Sequence, residues 1–151
     1  MSIVFNVAKG AWAGWCRTVG SANAALTVVP MEQASLTGDA TMQDYTTLAD
    51  ILAGSSNEQT TMGRKTVTSC TVTVDTTNNR VDCDMDDLTW AAASGNAVGS
   101  LLVCYDSDTT TGTDANIVPI ASLDFPVTPT GIDITARFGS SGWIRARNPD
   151  A

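Results

Sequence analysis

Residues Gly63–Trp90 read GRKTVTSCTVTVDTTNNRVDCDMDDLTW, and two alternating runs flank a turn within them. In the first, Cys70, Val72 and Val74 point one way and Ser69, Thr71 and Thr73 the other. In the second, Val81, Cys83 and Met85 alternate with Asp82, Asp84 and Asp86. Side chains on a strand change face at every residue, so the pattern is two strands sharing one apolar face. Asp75-Thr76-Thr77-Asn78-Asn79-Arg80 supplies the turn chemistry between them. Pairing Asp75 with Arg80 sets Val74 against Val81, Val72 against Cys83 and Cys70 against Met85. A slip of one residue would scatter the apolar set over both faces, so the pattern fixes the register. The stretch predicts a half-buried hairpin at the heart of a β domain and carries no chemistry of its own.

The totals agree with a β domain. At 151 residues with 43% apolar content, the chain suits one domain with a real core. Only 16% of residues are charged, and Thr, Ser, Ala and Gly fill the gap. The net charge is −8, with fourteen Asp and two Glu, and Asp favours turns over helix interiors. That acidity argues against a nucleic-acid surface, which needs a stripe of Lys and Arg. It also gives little purchase on an anionic membrane. No apolar run approaches the roughly 20 residues of a membrane span, and Met1–Gly10 lacks the basic start and apolar core of a signal peptide.

The chain has no histidine. The commonest general base, the Ser-His-Asp and Cys-His arrangements and imidazole metal ligands are therefore absent. Abundant Asp along exposed strand faces is not a paired acid and base in a cleft, so no enzyme and no cofactor is expected. The four cysteines are Cys16, Cys70, Cys83 and Cys104, and none forms a C-x-x-C pair. Cys70 and Cys83 share the hairpin's apolar face as diagonal neighbours, usually too far apart for a disulfide. The expectation is buried, reduced thiols acting as small hydrophobes. The loop DSDTTTGTD, Asp106–Asp114, places acids at relative positions 1, 3 and 9 but lacks the glycine and final acid of a calcium loop. A solvated acidic face is the expectation there, with no bound metal.

Along the rest of the chain, Ile3, Phe5 and Val7 open a strand, and Ala25–Val29 gives another. Tyr45, Leu48, Ile51 and Leu52 recur at helical spacing between Asp44, a good N-cap, and Gly54. That is the one helix expected. Ala91–Gly99 reads as a loop. Leu101–Tyr105 is apolar on both faces, hence a central strand. Ile117–Phe125 is a strand with an edge or bulge at Pro119. Ile132–Phe138 alternates cleanly, and Gly139–Gly142 turns into a closing strand, Trp143–Arg147. The fold class is mainly β: a single-domain antiparallel sandwich or barrel, jelly-roll-like, of about eight strands with one short helix.

Two features point outward. Trp12 and Trp15 stand among Gly10, Ala11, Ala13 and Gly14, read as a loop, in a chain with four Trp, three Phe and two Tyr. They plug the domain's own core edge or anchor a protein interface, where Trp is enriched. Arg137, Arg145 and Arg147 crowd the C-terminal end, whereas Asp75–Asp114 holds eight Asp against Arg80 alone. This is incidental surface charge or complementarity between copies or with a larger assembly. Residues 1–17 are thus a strand and Trp-containing segment expected to make contacts beyond the core, and 18–151 the β domain. The candidate interface residues are Phe5, Trp12, Trp15, Arg17, Trp143, Arg145 and Arg147.

Several segments in order resemble small structural proteins of tailed phages: VFNVAKG, DYTTLADILAGSSNEQ, the hairpin through TVTVDTTNNRVDCDMDDLTW, LLVCYDSDTTTGTDANIVPIASLDF and TPTGIDITARF. The resemblance runs from Ile3 to about Phe138. It implies a non-enzymatic virion protein of the capsid decoration (cement) or head-associated kind, made in the host cytoplasm and carried on the outer surface of the head. The implied partner is the major capsid protein. A symmetric shell favours a homo-oligomer, a trimer ahead of a dimer. The alternative is a head-fibre or tail-associated β module that binds glycan or host, with Trp12, Trp15 and Trp143 stacking on sugar.

Overall fold

The computed structural model describes residues 2–139 and 142–147. Met1, the Ser140-Ser141 tip of the expected last turn and residues 148–151 lie outside the described residues. In chain order the elements are β1 (Ile3–Val4), α1 (Trp12–Thr18), β2 (Ala25–Glu32), α2 (Asp39–Met42), α3 (Leu48–Ala53), β3 (Lys65–Val67) and β4 (Thr71–Asp75). They continue as β5 (Arg80–Asp84), β6 (Leu88–Ala93), β7 (Val98–Asp106), β8 (Ile117–Val127), β9 (Ile132–Ala136) and β10 (Ile144–Arg147).

The alternation of apolar residues between two buried faces sets the centre of the molecule. In β7, Leu101 and Val103 face one core while Leu102 and Cys104 face the other. β2 does the same, with Leu26 and Val28 on the first face and Val29 and Met31 on the second. A strand with apolar residues on both sides belongs mid-sheet. β7 is the middle strand of an antiparallel five-stranded sheet ordered β1-β8-β7-β2-β3. Pro119 sits in β8 opposite a register shift between Val103 and Cys104. This is the bulge expected of a residue that cannot donate to the ladder.

Each face of this sheet has its own cover. On one, Met42 at the end of α2 and Leu48 and Ile51 of α3 pack with Phe5, Met31 and Leu102. On the other lie α1, the three-stranded sheet β10-β5-β4 and the two-stranded ribbon β6-β9. The result is a mainly β, antiparallel, sandwich-like fold. The main sheet stays open, with β1 and β3 as its edges, and is not a closed barrel.

The hairpin register is the one the alternation demands: Asp75 opposite Arg80, Val74 opposite Val81 and Val72 opposite Cys83. Its place is different from that expected. The hairpin is a side layer, β4 pairs only with β5 among the described residues, and Val74 is 55% exposed. Cys70 also lies outside the ladder, which begins at Thr71 opposite Asp84.

The described residues form ten strands and three short α-helices, against the eight and one expected. β3 has three residues, too few to show alternation. β6 was hidden by a bulge: the register shifts between Trp90 and Ala93, and Ala92 takes a positive φ of 45°. The expected helix over Asp44–Gly54 shortens to α3, whose N-cap is Thr47, not Asp44. The Thr47 hydroxyl accepts the Asp50 N–H at 3.1 Å, and the Asp50 carboxylate accepts the Thr47 N–H at 3.0 Å. This capping box satisfies two end donors at once, which Asp44 does not do.

Candidate functional site

The N-terminal segment is built into the body of the protein. β1 pairs with Ser122 and Ala121 of β8, and the Phe5 N–H donates to the Ile120 carbonyl at 3.0 Å. Phe5 is fully buried. The Trp12–Trp15 stretch, read as a loop, is the helix α1. Trp12 and Cys16, four residues apart, share its buried face, and Trp15 lies on the flank. The Trp15 ring stacks flat on Tyr105, centroids 5.5 Å apart and planes 3° apart. The Tyr105 and Thr18 hydroxyls hydrogen-bond at 2.9 Å. The i, i+4 spacing of Trp12 and Cys16 was the signal for this helix; the surrounding Gly and Ala masked it.

Of the seven candidate interface residues, Phe5, Trp12 and Trp143 are buried within the chain, and Trp15 is half-buried. Arg17, Arg145 and Arg147 are exposed. A partner can reach the last four, together with Val7 at 36% exposure. These reachable side chains are spread over the turn before α1, α1 itself and β10, so they come from three separate elements.

The charge asymmetry along the sequence is partly closed inside the fold. β10 pairs with β5, which brings Arg145 beside Asp82 at 2.5 Å. Arg80 reaches the same carboxylate at 3.1 Å and Asp75 at 3.1 Å. Asp82 is therefore buried beneath two guanidiniums, where alternation alone had placed it in water. A second network was not legible. Arg64 contacts Glu58 at 2.7 Å and Asp114 at 2.6 Å, with two hydrogen bonds to each carboxylate. Hydrogen bonds from the guanidinium to Glu58 and then Asp114 push the Arg64 pKa further up, so it stays charged. In the Asp106–Asp114 loop, Asp106 accepts the Asp108 N–H and Asp108 accepts the Thr110 N–H and hydroxyl. These acids hold their own turn and an arginine.

Three cysteines meet where α1 crosses the start of the hairpin. The sulfurs of Cys16, Cys70 and Cys83 all lie within 4.8 Å of one another, and those of Cys70 and Cys83 are 2.8 Å apart. Cys16 and Cys83 are buried; Cys70 is half-buried. The diagonal spacing expected of Cys70 and Cys83 does not hold, because Cys70 has left the ladder and its backbone is free to turn inward. Cys16 was unplaceable from sequence because α1 was unseen. The Cys70 thiol is driven well down by its contacts with the Cys16 and then the Cys83 thiol, and Trp143 acts in the same direction. Cys16 and Cys83 are driven up, Cys16 first by its contact with Cys70 and Cys83 first by its contact with Cys16, with burial adding to both. Cys104 stands apart on the other face of the sheet, its thiol pushed up to about 12 by burial.

No helix among the described residues is long and apolar enough to cross a membrane. Compared with known protein families, curated proteins and solved structures, the chain matches none.

Proposed function

We propose that the chain is a non-enzymatic structural protein of a tailed-phage virion that decorates the outer surface of the head and stabilises the assembled capsid. The observation that carries this reading is the ordered resemblance from Ile3 to about Phe138. Its segments coincide with the frame of the molecule: β1, α3 with its cap, the β4–β5 hairpin, β7 through β8, and β9. The absence of histidine from the sequence favours a role without acid-base catalysis. The partner is the major capsid protein, and the cement acts as a homo-oligomer, a trimer before a dimer. Many weak contacts to neighbouring capsomers then add through multivalency.

The burial of tryptophan counts against sugar binding. Trp12, Trp90 and Trp143 are 7%, 2% and 9% exposed, so a stacking platform would rest on Trp15 alone. Cryo-electron microscopy of particles carrying this protein is expected to show it at a fixed ratio to the capsid subunit on the outer shell. Density confined to the tail, or glycan binding by the free protein with no shell density, would overturn the reading.

A further inference from the structure

We propose that Cys70 and Cys83 are a redox-modification site: a small-molecule disulfide or its equivalent oxidant closes them into an intrachain disulfide that ties the start of β4 to β5. The inference stands apart from the virion reading.

The geometry separates this from the two other uses of clustered thiols. Non-bonded heavy atoms rest about 3.5–4.0 Å apart, and the 2.8 Å between these sulfurs is inside that distance. Thiolates sharing one metal at about 2.3 Å each would stand about 3.8 Å apart, again farther than observed. A disulfide needs about 2.05 Å, so a small rotation of Cys70, which no ladder bond restrains, completes the approach. Cys16 lies within 4.8 Å of both sulfurs, and it enters the test below as the competing partner.

The surroundings assign roles. Cys70 is the one member of the trio that is not buried, so an oxidant meets it first. Its sulfur is within reach of the other two, and its pKa is the one driven down, by Cys16 first and then Cys83. The Trp143 indole borders the same site: Trp143 is 9% exposed, and its N–H favours negative charge on the Cys70 sulfur. A low-pKa, accessible cysteine beside a resolving thiol is the arrangement of oxidation-sensitive sites.

The reaction balances with the small disulfide RSSR as oxidant. The Cys70 thiolate attacks one sulfur of RSSR, forming Cys70–S–S–R and expelling RS⁻. The Cys83 thiol passes its proton to RS⁻ as its sulfur attacks the Cys70 sulfur, and a second RS⁻ leaves and takes the proton that Cys70 had released. Two protein thiols are oxidised to one disulfide, and RSSR is reduced to two RSH.

The test uses the full chain, reduced, desalted and treated with oxidised glutathione, then alkylated and mapped by mass spectrometry. Alkylatable thiols are expected to fall from four to two, with one cross-linked peptide pair joining Cys70 to Cys83. Cys16→Ser should retain the link, and Cys70→Ser should lose it. The wild-type map decides even if a variant fails to fold. Thermal unfolding of the oxidised chain should move up by several degrees and return on reduction. Four alkylated thiols after oxidation, or a dominant link through Cys16, would overturn the proposal. So would one equivalent of Zn²⁺ that shields all three thiols of the reduced protein from alkylation.

Discussion

At the residue scale the side chains that matter most are polar groups placed against one another across the chain. Arg64 holds Glu58 and Asp114 from positions 6 and 50 residues apart. Arg64→Ala leaves both carboxylates without their donor. It should cost about 1–2 kcal/mol, the range of a charge-assisted bond discounted for partial exposure, as read by urea unfolding. Carboxylates also set the acid limit. Asp50 is held below the usual range first by the Thr47 hydroxyl, Asp75 by the Asn78 side chain and Asp108 by the Thr110 hydroxyl. A lowered folded-state pKa means the unfolded chain takes up the proton first as pH falls. The stability these groups contribute is therefore complete above the ordinary carboxylate pKa, about 4, and lost as pH drops through the folded values. Unfolding midpoints should hold from pH 7 to about 5 and fall below about 4, and Asp108→Asn should flatten that fall. An acid-side profile unchanged in Asp50→Asn, Asp75→Asn and Asp108→Asn together would show that other groups carry it.

At the element scale, α1 carries the sharpest contrast between neighbours. Trp12 is buried in the core under the main sheet, whereas Trp15 only leans on Tyr105 at its flank. Trp12→Ala should cost about 3–5 kcal/mol and Trp15→Ala much less, both measured by denaturant midpoint on the isolated protein. Equal effects would mean that the helix does not seat as described. Gly14 sits mid-helix, exposed, and a Cβ there meets nothing within 4 Å. Gly14→Ala should stabilise by about 0.5–1 kcal/mol through the unfolded chain's lost freedom. The same helix shows where sequence reading stops. Strands of five or more residues with unbroken alternation were legible, and so was the double-sided burial of β7, because burial is periodic in the chain. β6 was not, since its bulge at Ala92 breaks the period. α1 was not, since Trp12 and Cys16 gave one matched pair where a helix is recognised from several. The cysteine trio depends on α1, a strand start and a strand interior meeting at one point, and no local pattern encodes a three-body meeting.

At the scale of the whole molecule, stability should be graded from the middle sheet outward. β2 and β7 are buried along nearly their whole length and are paired on both sides within the sheet. β4 is mostly exposed, pairs only with β5 among the described residues, and ends in the open turn Thr76–Asn79. Opening β4 alone uncovers little apolar surface, while opening β7 empties both cores at once. Native-state hydrogen exchange should therefore report β2 and β7 amides near the global unfolding free energy and β4 amides several kcal/mol below it. The proposed disulfide acts on this lower tier. A link between Cys70 and Cys83 closes a loop of about 14 residues, worth up to about 3 kcal/mol in the chain-entropy account. Part of that reaches β4 directly, because its first residue, Thr71, is then tied next to β5. Oxidation should slow exchange in β4 more than in β7 once the global gain is subtracted. If β4 in the reduced protein already exchanges as slowly as β7, the side layer is part of the cooperative core and the graded picture fails.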